Sequence, residues 1–171
     1  MERVMIIGCG GAGKSTMARQ LGQITGLPVV HLDQLFWREN WHHVEKSEFD
    51  SLLALELEKL QWIVDGNFTR TIPMRLSKCD TVIYLDYPRW QCMLGVAKRI
   101  ITTYGRVRPD MGPGCKERFD WDFLKWVWNF NKNNRAELYA LLEQTENVHM
   151  ILLKSRKEGR NFLETVRQAS Q

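Results

Sequence analysis

Apolar positions along this chain follow two rhythms. Short, nearly unbroken apolar runs occupy residues 3–8 (RVMIIG), 28–32 (PVVHL), 62–65 (WIVD), 81–86 (TVIYLD) and 148–153 (VHMILL). Runs that stay apolar instead of alternating predict strands covered on both faces, as in a parallel sheet. Elsewhere apolar residues return every three or four positions, the spacing of one helix face. Met17, Leu21 and Ile24 mark one such helix; Phe49, Leu52, Leu53, Leu57 and Leu60 mark a second, with Ser47 and Asp50 offering a capping-box start. Pro88 suits the first position of a further helix whose stripe is Trp90, Met93, Leu94, Ala97 and Ile101. Phe119, Phe123, Trp126, Val127 and Phe130 predict another, continuing through Leu138, Leu141 and Leu142. Strand and helix alternate, so the expected class is α/β with a parallel sheet.

Both rhythms lapse over residues 104–118 (YGRVRPDMGPGCKER), where glycine, proline and basic residues predict a long loop that orders on demand. At 171 residues the chain suits a single domain with this segment as a lid. Its first residues enter a strand without a long apolar leader, so the expectation is a cytoplasmic protein with no membrane partner. Cys9, Cys79, Cys92 and Cys115 form no C-x-x-C pair, which suits reduced thiols better than a zinc site. Twenty-four Lys and Arg against 20 Asp and Glu leave a net charge of +4, too small by itself to argue for nucleic acid. The basic residues are unevenly placed, however: Lys98, Arg99, Arg106, Arg108, Lys116 and Arg118 crowd one stretch, suited to polyphosphate as well as to DNA or RNA.

Chemistry enters between the first strand and the first helix. Gly8, Gly13, Lys14 and Ser15 fill the fixed positions of G-x-x-x-x-G-K-[ST], the phosphate-cradling P-loop, in the strand-to-helix setting that the motif requires. Without Cβ atoms, successive backbone N–H groups over Gly8, Cys9, Gly10, Gly11, Ala12 and Gly13 can converge on phosphate oxygens, while the helix start presents its positive end. Lys14 would reach the β and γ phosphates, Ser15 would ligate magnesium, and Thr16 would add a phosphate contact. Cys9, beside that lysine and helix end, is expected to have a lowered pKa and to make nucleotide binding sensitive to oxidation. Magnesium also needs a carboxylate, and Asp33, Asp65 and Asp86 each end a predicted strand. Asp65 is the first choice and Asp86 is read as structural. His31, His42, His43 and His149 lack metal-ligand spacing and are read as structural too.

GCGGAGKST, VVHLD, IVDGNFTRT and VIYLDYP, followed by an arginine-bearing loop, resemble the P-loop kinases of the adenylate kinase and shikimate kinase group over nearly the whole chain. HLDQLFW and DGNFTRT resemble segments of the kinase-like topology modulation proteins within that group. The resemblance implies a three-layer P-loop NTPase fold with a five-stranded parallel sheet of order 2-3-1-4-5 and a mobile lid between strands four and five. It also implies ATP with magnesium. DGNFTRT is similar to the D-G-F-P-R-T of adenylate kinases with one extra residue and no proline, which gives Asp65 the magnesium-linked position and Arg70 a place on an acceptor phosphate. Arg99 takes the position of a lid arginine that packs on adenine and touches phosphate, with Arg106, Arg108, Arg118 and Arg135 as further lid candidates. Ser155 and Arg156 fall where related kinases hold the adenine edge. Such arginines spread positive charge around a loose phosphoryl transition state.

The acceptor pocket is expected around Asp33, Phe36, Trp37, Arg70 and the helix over 47–60. Asp33 would bind an acceptor hydroxyl or orient magnesium's waters, while Phe36 and Trp37 would either stack a base or pack. Trp41, Trp62, Trp90, Trp121, Trp126 and Trp128 are assigned to the core or the lid hinge. The reading that follows is magnesium-dependent phosphoryl transfer from ATP to a nucleotide or other small molecule. The alternative is an ATPase or nucleotide sensor acting on DNA; DNA is possible but not favoured, since no DNA-binding motif is present. A guanine-nucleotide switch is set aside, because Asn131-Lys132-Asn133-Asn134 lacks the aspartate of N-K-x-D.

Overall fold

The five apolar runs become the five strands of one parallel sheet in a computed structural model that describes residues 1–143 and 148–169. β1 (Arg3–Gly8), β2 (Val29–His31), β3 (Trp62–Asp65), β4 (Thr81–Leu85) and β5 (His149–Leu153) lie in the order β2-β3-β1-β4-β5. All neighbours run parallel. β1 sits in the middle, and Val4, Met5, Ile6 and Ile7 are fully buried, as are Ile63, Val64, Val82 and Ile83. Each such side chain contributes about 1.5–3 kcal/mol on leaving water. Burial on both faces is why these runs do not alternate.

Helices flank the sheet: α1 (Lys14–Thr25), α2 (Leu32–Phe36), α3 (Lys46–Leu57), α4 (Ile72–Leu76), α5 (Arg89–Thr103), α6 (Trp121–Glu143) and α7 (Arg156–Ala169). α1 lays Met17, Ala18 and Leu21 into the core and packs on β1, β2, β3 and α7, while α5 packs on α6. The sheet register matters for chemistry. Asp65 stands beside Ile6 on one side and His31 on the other, and Gly8 stands beside Leu85. The P-loop, His31, Asp65 and Asp86 therefore meet at the carboxyl edge, where open α/β sheets bind ligands.

Several local expectations are corrected. α3 starts at Lys46 behind Glu45, and Ser47 makes no cap; Asp50, the other half of the expected capping box, is held instead by Arg70 through two bonds of 2.7 Å. Leu60 lies beyond the helix end and is exposed. Pro88 is the extended residue before α5, its carbonyl receiving Gln91 and Cys92 N–H, and is not the first helical residue. The face of α5 is also different: Cys92 and Val96 are buried, whereas Trp90, Leu94 and Ile101 are 58%, 61% and 82% exposed. The reason is close approach, because the P-loop backbone lies against this helix and only small side chains fit between them. A Cβ on Gly95 would overlap the Gly11 carbonyl oxygen, and one on Gly11 would overlap the Cys92 carbonyl. Among the tryptophans assigned to core or hinge, Trp62 is fully buried, but Trp90, Trp121 and Trp128 are at least half exposed.

The segment 104–118 is folded in this structure, not irregular throughout. Tyr104 bridges to Glu117 and Val107 to Lys116, and Asp110, Met111, Cys115 and Glu117 are buried. It fastens to the chain after β2: Gln34 Nε2 donates to Pro109 O at 2.6 Å, and Cys115 Sγ donates to Arg38 O at 3.0 Å. All four cysteines are free thiols and buried. Among the described residues, no helix is long and apolar enough to cross a membrane.

Candidate phosphate-binding site

Between the last residue of β1 and the first of α1 the chain turns through Cys9–Gly13. Gly11 (φ 76°) and Gly13 (φ 98°) adopt the left-handed backbone that a side chain disfavours. No side chain caps α1, so its first N–H groups face outward with no intrahelical acceptor, the arrangement that receives anions. Lys14 curls back over the turn, donating from Nζ to Cys9 O at 3.1 Å. Ser15 Oγ donates to Asp65 Oδ2 at 2.8 Å, so the two residues singled out for magnesium touch. The other oxygen of Asp65, Oδ1, pairs with Nδ1 of buried His31. The Gly8 N–H donates to Asn67 Oδ1 at 3.0 Å, tying the loop after β3 to the start of the P-loop.

That loop is shaped from behind by Arg75. Its side chain is fully buried, and its guanidinium donates to the carbonyls of Gly66 (2.8 Å), Asn67, Phe68 (3.4 Å) and Thr71 (3.4 Å). Burial pushes Arg75 down to about 9, against the opposite electrostatic pull of Cys79 and Asp65. Phe68 sits at φ 34°, a backbone state held by this anchoring.

A cavity of 1030 Å³ opens over the sheet edge. It is lined by Gly10, Gly11, Gly13, Lys14, Ser15, Thr16, Asp33, Trp37, Asp65, Arg99, Arg108 and Arg156, which brings most of the expected residues to one place. Gly8, Cys9 and Ala12 are buried and lie outside the lining. Burial pushes the Asp33 carboxyl above its ordinary range, with the Lys14 charge pulling it back down. Arg156 crosses from α7 to donate to Gly11 O at 2.8 Å and Gln91 O at 3.1 Å, whereas Ser155 bonds Glu158 at the outer start of α7.

Two lid arginines face inward and are met by lid carboxylates. Arg99 reaches Glu117 at 3.1 Å; Arg108 reaches Glu117 at 2.8 Å and Asp110 at 2.7 Å. Arg19 of α1 also reaches Asp110, at 3.4 Å. Burial would push the Asp110 carboxyl up, but the Arg108 charge and a backbone N–H outweigh it and hold it down. Burial and the like charge of Arg108 lower Arg99, opposed by Glu117.

Other candidates lie off the cavity. Arg70 is half exposed and bound to Asp50. Arg135 pairs with buried Asp86 at 2.6 Å, and Tyr139 joins the same oxygen at 2.9 Å, an arrangement that braces β4 against α6. Arg106 is exposed and outside the lining, whereas Arg118 does line the cavity and lies over Trp41 at 5.0 Å. Phe36 packs among Trp37, His43, Phe49 and Phe68, so packing wins there over stacking a ligand, while Trp37 lines the cavity. The Cys9 expectation is overturned: a hydrogen bond with Cys92, then burial, push the Cys9 thiol up instead of down, because the neighbouring thiol outweighs Lys14. His31 and Asn67 fall within HLDQLFW and DGNFTRT but were given no role at the site, His31 being read as structural, and Arg75 carries no motif.

No family model matches the sequence, and no curated protein matches it. Solved structures do. A shikimate kinase from Acinetobacter baumannii in complex with shikimate superposes with a TM-score of 0.63 at 14% identity, covering 99% of this chain and 92% of that one. The shikimate kinase from Bacteroides thetaiotaomicron gives 0.58 at 14% identity over 98% and 97%. The fold is that of the P-loop kinases. The sheet order and the expected fold class agree with this, and at such identity the likeness speaks for the fold alone.

Proposed function

We propose that this protein is a magnesium-dependent phosphotransferase that moves the γ-phosphoryl group of ATP to a small-molecule acceptor. The single observation that carries the reading is the Ser15 to Asp65 contact beneath an uncapped helix start: hydroxyl, carboxylate and open amides converge beside Lys14 on the floor of one cavity. The donor set fits ATP with magnesium. Gly10–Thr16 would hold the phosphates through backbone N–H groups and Lys14 Nζ, and Ser15 with Asp65 would hold the metal directly or through its waters. Magnesium, when bound, supplies charge neutralisation between the phosphates. The protein's own residues do the rest. His31 orients Asp65, Asp33 receives the acceptor hydroxyl and its proton, and Arg99 and Arg108 bring positive charge to the transferring group once Asp110 and Glu117 release them. The attacking oxygen forms its bond to γ-phosphorus as the bond to the bridging oxygen breaks, and ADP departs.

Inward-facing Arg99 and Arg108 favour this over the DNA reading, since four of the six clustered cations, Lys98, Arg99, Arg108 and Arg118, line the cavity. Incubation of the protein with γ-labelled ATP, magnesium and a pool of small hydroxyl compounds, with and without DNA, tests it. Label appearing on a small molecule supports the kinase; phosphate release that depends on DNA supports the alternative; binding without turnover in either condition supports a sensor.

A further inference from the structure

The acceptor end of the cavity is aromatic, and its polar groups are largely spoken for. Trp37, Trp41 and Phe68 line it, with the two indoles 5.5 Å apart at 72°. Trp41 and Asn40 before it are successive non-glycine residues in the left-handed region, at φ 64° and 56°. Their loop is pinned on both sides. Trp37 bridges to His43, Arg38 N–H donates to His42 O at 2.7 Å, and Val44 N–H donates to Phe36 O at 3.0 Å. From the lid, Gly112 presses so closely on the Trp37 carbonyl that a Cβ would overlap it, and Arg118 covers one face of Trp41 at 5.0 Å. A strained backbone held this firmly keeps the Trp41 ring in one place.

Charge narrows the choice further. The cavity's lining includes Arg108 and Arg118 beside Asp33, Asp110 and Asp120. Both arginines already have carboxylate partners: Arg108 holds Asp110 at 2.7 Å, and Arg118 lies 3.7 Å from Asp120. Arg70, the cation expected on an acceptor phosphate, is held by Asp50 away from the cavity. With these guanidiniums paired and Arg70 turned away, the aromatic end offers, among the described residues, no unpaired arginine to an acceptor's phosphate or carboxylate. A polyol would be held by many unpaired donors and acceptors; two unpaired groups can be assigned to an acceptor here. The Asp33 carboxylate makes no hydrogen bond among the described residues, and Asn67 Nδ2 is buried without a partner while its Oδ1 is held by Gly8.

We propose that the acceptor is an uncharged flat heteroaromatic alcohol, its ring seated on Trp41 and Trp37, its hydroxyl at Asp33 and a ring nitrogen or carbonyl at Asn67 Nδ2. This rests on the phosphotransferase reading and narrows it. In the transfer, the hydroxyl oxygen bonds γ-phosphorus, the bridging P–O bond breaks with ADP as leaving group, and the hydroxyl proton passes to Asp33. Nucleosides and free hydroxymethyl pyridines or pyrimidines share this chemistry, and they form separate arms of the test.

The experiment measures binding by calorimetry in the presence of magnesium and a non-hydrolysable ATP analogue, and transfer with labelled ATP. Its arms are nucleosides, free heteroaryl carbinols, nucleoside monophosphates, shikimate and hexoses. Binding and labelling of either of the first two arms is expected, with Trp41→Leu weakening acceptor binding at least tenfold, Trp41→Phe recovering most of it, and analogue affinity within twofold in both. Labelling confined to the monophosphates, shikimate or hexoses overturns the inference while leaving the kinase reading intact, and so does an unchanged acceptor affinity in folded Trp41→Leu. If no arm binds although the ATP analogue does, the inference fails; absence of analogue binding overturns the phosphotransferase reading itself.

Discussion

Arg75 offers the sharpest energetic test, because this fully buried guanidinium has carbonyls and, among the described residues, no carboxylate as its hydrogen-bond partners. Replacing it by Met keeps most of the volume and removes the charge. The Phe68 carbonyl also receives Thr71 N–H at 2.7 Å and Thr71 Oγ1 at 2.9 Å, so it keeps partners in the variant. The Gly66 and Asn67 carbonyls depend on Arg75. Each carbonyl left buried without a donor costs about 1–3 kcal/mol. Part of this is offset, since the wild type bears the cost of burying a cation whose pKa burial lowers to about 9. A net loss of about 2–4 kcal/mol is expected. For a chain of this size each kcal/mol shifts Tm by roughly 2–4 °C, so differential scanning calorimetry should read a fall of roughly 4–16 °C. Arg75→Lys should fall between, because an ammonium cannot span both carbonyls. A Tm for Arg75→Met within about 2 °C of wild type would refute the idea that this side chain shapes the loop beneath Asn67.

Three further expectations follow from the geometry. Gly95→Ala in the middle of α5 should gain about 1 kcal/mol of helix propensity, yet it is expected to lower Tm and weaken ATP binding together, because its Cβ would press on the Gly11 carbonyl; a rise in Tm would show that the P-loop yields freely. Burial would raise the Asp80 carboxyl, but Thr81 Oγ1 and the N–H groups of Arg3 and Glu2 outweigh it and hold it low. The stability this gives is present above the ordinary carboxylate pKa of about 3.9 and is lost as pH falls through the lowered value, so the Tm gap between wild type and Asp80→Asn should close in acid and stay open at pH 7. Asp33 has the opposite sign, and transfer that needs its carboxylate should fail on acidification earlier than an ordinary carboxylate would dictate; a kcat/KM profile flat down to pH 4 would remove Asp33 as the proton acceptor.

Much of this architecture is readable without coordinates because its signals are local. Double-sided burial makes β1 to β5 continuous apolar runs, and the glycine, lysine and serine spacing around Lys14 is contiguous in sequence. What escaped depends on partners distant in sequence. The inward face of α5 is built from Cys92, Gly95 and Val96, since the P-loop backbone presses there, and periodicity weighted toward large side chains selects the opposite face. α7 was missed because it has few apolar residues, and Gly159, Phe162, Leu163 and Val166 are enough to dock it. Arg75 reads as one more surface cation until the loop after β3 folds over it, and Arg135 and Arg70 read as lid and acceptor residues until Asp86 and Asp50 claim them. His31 becomes a partner of Asp65 through strand register alone.

The claim at the centre is that the turn from Cys9 to Gly13, with Lys14, cradles the phosphates of ATP. Calorimetric titration of wild type and Lys14→Ala with ATP and magnesium tests it directly. One ATP per chain is expected, with affinity lowered at least tenfold, about 1.4 kcal/mol, in Lys14→Ala at unchanged Tm. Equal affinity in the two folded proteins would contradict the account.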